Sequence, residues 1–193
     1  GAAMSRAGQG RARLLAAAKE LLWERGYEHM SPRDVLDRSG VGQGSLYHHF
    51  SGKLELARAA LGEMVTEETA AMDAIFAADK TPLRRLEEYL ARKRAALRGC
   101  RIGRLANETI MEVPEFRTFV ATYLDHVEGL IRKAVAEAQG AGMLAAEADP
   151  DALAALFLAV IEGGFVLARA HWDPSRMERA IRGSEAALAL MKR

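Results

Sequence analysis

Between Arg33 and Lys53 the chain reads RDVLDRSGVGQGSLYHHFSGK, and this stretch restricts the fold more than any other. Arg33 to Ser39 makes two helical turns that turn Val35 and Leu36 inward. Gly40 admits a positive φ and ends that helix, and Val41 plugs the corner beneath it. A second helix opens near Gln43, with Leu46 and Phe50 four residues apart on one face. With that face buried, Gln43, Ser45, Tyr47, His48 and His49 look outward. A surface of hydrogen-bonding and aromatic side chains with almost no acid is what a DNA major groove needs.

The rest of the chain keeps the helical period, with no period-two strand and no internal repeat. Half of the 193 residues are apolar and only 6% are aromatic, a profile that argues for an all-α fold. A first helix spans about Gly10 to Arg25, with Leu14, Leu15, Ala18, Leu21 and Leu22 as its apolar stripe. Ser31–Pro32 is a capped start for the next. Long helices follow over about Lys53 to Ala78, Pro82 to Arg98, Glu115 to Gln139 and Pro150 to Trp172, with a short one before Pro114 and a last one to the C-terminus. The pattern divides into a flexible arm (1–10), a three-helix unit (11–52) and a larger helical part (53–193).

Charge is distributed unevenly. Residues 1–61 hold nine Lys/Arg against six Asp/Glu, and the remainder holds 18 against 20, so the positive end coincides with the outward Gln/Ser/Tyr/His face. One cysteine excludes an intrachain disulfide framework and fits a reducing cytoplasm. The longest uninterrupted apolar run, Ala152 to Ile161, is ten residues, short of the ~20 that cross a bilayer, so no membrane partner is expected.

Ser39–Gly40–Val41, Leu46–Tyr47–His48–His49–Phe50 and Lys53, at this spacing, resemble the DNA-binding domain of the TetR family of transcriptional repressors. The resemblance is strong over residues 10–60 and extends beyond them only as helical pattern and length. Leu36 stands where the family usually has Ala, and Gly44 puts a flexible residue early in the reading helix. Matched position by position, the resemblance implies that 11–52 is a helix-turn-helix DNA-binding domain and 53–193 a ligand-binding and dimerisation domain. It makes Arg33 and Gln43 candidates for base edges, and Ser45, Tyr47, His49 and Lys53 a phosphate clamp. His48 is open to base, phosphate or neither. It also implies a homodimer on a palindromic double-stranded DNA operator and release by a small apolar or amphipathic inducer.

Met64, Phe76, Leu86, Tyr89, Met111, Phe116, Phe119, Tyr123 and Phe165 are candidates to line the ligand pocket, although residues at such spacing are more often plain core. Leu156, Gly163, Gly164, Ile181 and Leu188 are candidates for the dimer interface. The glycine pair weakens a helix by about 1 kcal/mol each, which close approach of another helix would explain. Cys100 lies at a glycine-flanked bend near Arg98, Arg101 and Arg104, a setting that predicts a lowered thiol pKa. The stretch Gly99 to Glu108 resembles a G-C-x-x-G-x-x-x-x-E pattern of one TetR subgroup, some of whose members sense electrophiles or oxidants through cysteine. The alternative is a small buried hydrophobe.

Catalysis is not expected. Gly40-x-Gly42-x-Gly44 has the wrong spacing for a dinucleotide loop and follows a helix. No Glu-x-x-His metal motif occurs, and the adjacent His48 and His49 point to different sides, so neither metal nor cofactor is expected. A non-catalytic helical scaffold or adaptor is the alternative function, and it has no use for the outward polar face.

Overall fold

The computed structural model describes residues 2–193. Its helices are α1 (Arg6–Arg25), α2 (Pro32–Ser39), α3 (Gln43–His49), α4 (Lys53–Ile75), α5 (Pro82–Ala91), α6 (Pro114–Gly140), α7 (Pro150–His171) and α8 (Ser175–Met191). Two 3-10 turns, Gly103–Asn107 and Thr109–Glu112, precede α6. The described residues contain no strand, and one isolated antiparallel bridge pairs Leu144 with Lys192. The chain divides into two compact units. The first holds the residues up to Thr66 together with Arg104–Val120, and the second holds Glu67–Gly103 with Ala121–Arg193. The boundary therefore lies beyond residue 52. Leu56, Ala57, Ala60, Leu61 and Met64 of α4 are buried apolar residues of the first unit.

In the first unit, α1 starts four residues earlier than the periodicity suggests. The Ser5 hydroxyl accepts the Gly8 N–H at 3.1 Å and caps it, so residues 6–10 are helical rather than part of an arm. Gly1 lies outside the described residues. Leu14, Leu15, Ala18, Leu21 and Leu22 form the buried stripe of α1. A reciprocal cap starts α2: the Asp34 N–H donates to the Ser31 hydroxyl, and the Ser31 N–H donates to the Asp34 carboxylate, both at 3.1 Å. Gly40, at φ +67°, ends that helix in the left-handed region. Arg13 donates to the Ser39 carbonyl at 2.6 Å and so ties α1 to the end of α2.

In the second unit, side-chain cations decide where helices stop. Lys80 donates to the Ala74 and Ile75 carbonyls, and the buried Arg85 donates to Ala77 and Ala78, which closes the end of α4. Arg94 does the same for α5. It donates to the carbonyls of Tyr89 at 2.7 Å and Leu90 at 3.0 Å, so α5 ends at Ala91 instead of near Arg98. The C-terminal residues are held by Ala145 N–H to Met191 O and Arg193 N–H to Met143 O. By length and composition alone, the 22-residue α7 is long and apolar enough to cross a membrane, a property the ten-residue uninterrupted run conceals. One side of it packs inside the unit through Ala154, Phe157, Ile161, Gly164, Phe165 and Ala168.

The Ser31 hydroxyl, then the Ser31 N–H, holds the Asp34 carboxyl below the usual carboxylate range. A depressed carboxylate stabilises the fold above its unfolded pKa, and that stability is lost as pH falls through the folded value. Ser31→Ala is therefore expected to cost about 1 kcal/mol at neutral pH by chemical denaturation. The difference should shrink below pH ~4 as Asp34 becomes protonated in both states.

Candidate functional site

The reading face is built on two anchors, Leu46 in α3 and Phe50 at its C-cap. Leu46 is 0% exposed and Phe50 3%, which turns Gln43, Gly44, Tyr47 and His48 to the outside. Tyr47 is 50% exposed, more than a packing aromatic needs. Arg33, on the first turn of α2, lies in one open depression with Pro32, Leu36, Asp37, Gln43 and Tyr47. The structure thus brings together both residues expected at base edges and one of the expected phosphate contacts. It also places an acid, Asp37, among them. Leu36 is half-buried in the same depression instead of pointing fully inward.

Ser45 is half-buried because α1 passes close by. A side chain on Gly10 would start 3.1 Å from the Ser45 hydroxyl. His49 is also half-buried, with its Nε2 buried and without a hydrogen-bond partner. Its ring lies 5.0 Å from that of His48 and 6.3 Å from Phe50. Arg11, which like Arg6 is a sequence candidate for a phosphate contact, holds its guanidinium 5.4 Å from the Phe50 ring centre and adds an exposed cation beside α3.

Lys53 is not extended toward solvent. Its ammonium stands 4.2 Å over the Tyr27 ring and 3.4 Å from the Glu28 carbonyl. Burial pulls its pKa down, and the carboxylates of Glu108 and Glu28 oppose this. The N-terminus of α4 has an internal anion as well, since Glu55 accepts the Ser51 N–H at 2.6 Å. Tyr27 and its neighbours are in turn held by residues 104–109. Glu108 accepts the Tyr27 N–H at 2.8 Å, Glu28 accepts the Thr109 N–H at 3.0 Å and its hydroxyl, and Arg104 donates to the Trp23 carbonyl. Gly26 makes room for this. At φ +79° it turns the chain after α1, and a Cβ there would lie 1.5 Å from a Glu108 carboxylate oxygen. Periodicity gives no sign of this clamp.

The description "Bacterial regulatory proteins, tetR family" matches residues 14–60, and "Tetracyclin repressor-like, C-terminal domain" matches residues 82–184. The chain belongs to the TetR family of transcriptional regulators. It is 31% identical over 169 residues to the transcriptional regulator AcuR of Cereibacter sphaeroides, covering 83% of this chain and 77% of that one. It is 31% identical over 133 residues to the transcriptional repressor KstR of Mycobacterium tuberculosis, covering 68% and 59%. A TetR regulator from Chloroflexus aurantiacus superposes with a TM-score of 0.88 at 26% identity, over 98% of this chain and 99% of the other. The all-α fold and the helix-turn-helix follow from the family, which regulates transcription and is not enzymatic.

The nine residues expected around one ligand fall in both units. Met64, Met111, Phe116 and Phe119 belong to the first, where Phe116 packs 5.9 Å from the Tyr27 ring and 6.4 Å from Phe119. Phe76, Leu86, Tyr89, Tyr123 and Phe165 belong to the second and are all buried. Because α4 and α6 each contribute residues to both units, helical spacing cannot assign a side chain to one of them.

The expected lowering of the Cys100 pKa is reversed. Burial pushes the thiol up and the Glu162 carboxylate adds to this, against the Gly103 N–H that donates to the sulfur at 3.2 Å. The nearby arginines are engaged elsewhere: Arg101 pairs with Glu67 and Glu68, and Arg104 donates to Trp23.

Two of the residues expected at a dimer interface also face inward. A Cβ on Gly164 would lie 2.7 Å from the Met177 sulfur and 3.3 Å from Ala180 Cβ, so this glycine serves the α7–α8 contact within the chain. Leu188 is buried and Ile181 half-buried, whereas Leu156 is exposed and Gly163 half-buried with nothing near its missing side chain. The exposed side of α7 continues through Val166, 60% exposed, and Leu167, and α8 adds Leu190, 85% exposed. A helix apolar all round gives no sequence signal for which side turns out.

Gly26→Ala is expected to lose roughly 2–4 kcal/mol of folding stability, because the new methyl meets both the backbone strain and the Glu108 carboxylate. Glu108→Gln, which keeps the shape, should lose about 1 kcal/mol. Thermal denaturation of the two variants side by side checks the order.

Proposed function

We propose that this TetR-family chain is a homodimeric transcriptional repressor acting in the cytoplasm. It binds a palindromic operator and is released from it by a small apolar or amphipathic molecule held in the second unit. The observation that carries the reading is the outward face of α3 joined to Arg33 of α2, above the buried Leu46 and Phe50. Arg33 suits guanine O6/N7 and Gln43 suits adenine N6/N7. Ser45, Tyr47, His49 and Lys53 supply phosphate contacts that set the register. For the last of these, the Lys53 ammonium exchanges Tyr27 and Glu28 for a phosphate. The relative KstR is named a repressor, which supports that sign of regulation.

A single reader of this size binds DNA weakly, and two on a twofold axis reach successive grooves ~34 Å apart. The exposed apolar side of α7, from Leu156 through Gly163 to Val166 and Leu167, supplies a surface for the second copy. Release follows if the ligand prefers a conformer whose two readers are at the wrong spacing, since a ligand indifferent to the two states shifts nothing. The helix α4 contributes residues to both units and is the continuous element through which such a preference passes. We assign release to non-covalent binding rather than thiol modification, because burial and Glu162 keep the Cys100 thiol protonated.

Selection from a randomised DNA pool, followed by salt-titrated anisotropy, tests the reading. The expected product is a palindrome. Gln43→Ala should lose about 1–3 kcal/mol and relax one base position per half-site, whereas Tyr47→Ala should weaken all sequences alike. A non-palindromic product, or none at any salt, removes the dimeric repressor. Val166→Asp should give a folded monomer by analytical ultracentrifugation, with operator affinity reduced at least about tenfold. A dimer that survives this change places the interface elsewhere.

A further inference from the structure

Five titratable side chains of the second unit have no part in reading DNA: Tyr89, Arg94, Cys100, Tyr123 and Glu162. They come from α5, the loop after it, α6 and α7. Gly103 brings two of them together. A Cβ on it would lie 2.8 Å from a Glu162 carboxylate oxygen and 3.1 Å from the Cys100 sulfur, so carboxylate and thiol lie over the same bare backbone. Cys100 donates its S–H to Glu162. The Tyr89 ring centre is 5.6 Å from that of Phe76 and 5.2 Å from the Arg94 guanidinium carbon. Tyr123 is buried, at 6% exposed.

The charges here are unequally provided for. Arg94 is satisfied by the carbonyls of Tyr89, Leu90 and Arg92 and by the Tyr89 side chain. Arg92 pairs with Glu68, and Arg101 with Glu67 and Glu68. Glu162 has a neutral thiol as its hydrogen-bond partner, and among the described residues no cation lies within ion-pair distance of it. Burial pushes its carboxyl up, opposed by the Cys100 S–H and by the charge of Arg94. A buried carboxylate is ordinarily paired, because leaving it without a counter-charge is costly. Here the charge of Arg94 acts on the carboxylate without forming an ion pair, and two buried tyrosines, Tyr89 and Tyr123, belong to the same unit.

We propose that this cluster binds the head group of a small organic cation, a protonated amine on an apolar or aromatic body, with Glu162 as its counter-charge. The ammonium donates to Glu162 and to the Tyr123 hydroxyl oxygen, and the face of Tyr123, unlike that of Tyr89 with its Arg94, is open to a cation. An anion would meet Glu162 unfavourably, and an alcohol of the same shape would leave it unpaired. The proposal rests on the second unit being the ligand-responsive part of the repressor, and it names the chemistry of that ligand.

Calorimetric titration of the full DNA-free chain tests it with a graded series of arylalkylamines, from benzylamine to tryptamine, and the alcohol and carboxylate matched to each. The best amine should bind at least about tenfold more tightly than its matched alcohol, and more tightly still than its carboxylate. Glu162→Gln should remove that preference and leave the alcohol unaffected, while circular dichroism and operator binding stay at wild-type level. Tyr123→Phe should reduce amine affinity by a smaller factor. The proposal is overturned if no amine in the series is preferred over its alcohol, or if the preference survives Glu162→Gln. Adding the preferred amine to the operator complex separates the two readings. Binding without DNA release retains the cation site and removes it as the switch.

Discussion

Burial of Leu46 and Phe50 is the constraint on which the DNA-reading surface depends. In a helix of seven residues, an inward Leu46 followed by an inward Phe50 at the C-cap leaves one outward face, and its residues are then set by the helical period. The seven residues would not hold as an isolated helix. They hold because Gly40 turns the chain, Arg13 ties the end of α2 to α1, and α1 passes close to α3, where a side chain on Gly10 would start 3.1 Å from the Ser45 hydroxyl. Gln43, Tyr47 and Arg33 then meet in one depression without touching each other in sequence. A rigid scaffold with a polar outer face is what groove recognition requires.

The reader is completed from far along the chain. Glu108 reaches the turn after α1 and binds the Tyr27 N–H, and Gly26 is the one residue type that leaves room for its carboxylate. Tyr27 in turn carries Lys53 on its ring. A residue expected to touch phosphate is thereby connected, through an aromatic ring and a backbone amide, to a carboxylate in the segment leading into α6. A displacement of this segment would change the surroundings of Lys53 as well as the geometry of the turn.

In α7 an apolar sequence serves three purposes at once. One side packs within the unit, with Gly164 admitting Met177 of α8. The opposite side leaves Leu156, Val166 and Leu167 in solvent, an arrangement with a cost in water unless a second surface covers them. Between the two, Glu162 carries a carboxylate into the interior against Cys100 and Gly103. The charge in mid-helix separates α7 from an ordinary core helix.

Local chemistry was readable without coordinates. The caps at Ser31 and Gly40, the punctuation at Pro82, Pro114 and Pro150, and the period-four spacing of Leu46 and Phe50 act over one or two turns, so the sequence by itself determined the order of the long helices and the outward turn of Gln43, Tyr47 and His48, but not the half-burial of Ser45 and His49. The family followed from those same residues. Long-range packing decided the rest. Whether Met64 and Phe116 belong to the reader's core or to a ligand pocket depends on which helices meet. Which side of α7 faces out depends on α8. Neither choice has a periodicity of its own. Cys100 is the clearest case: its neighbours in sequence are arginines, but its neighbour in space is Glu162, and the direction of its pKa follows the spatial neighbour and burial. The field at a buried group comes from what surrounds it in three dimensions, and that information lies in the tertiary structure alone.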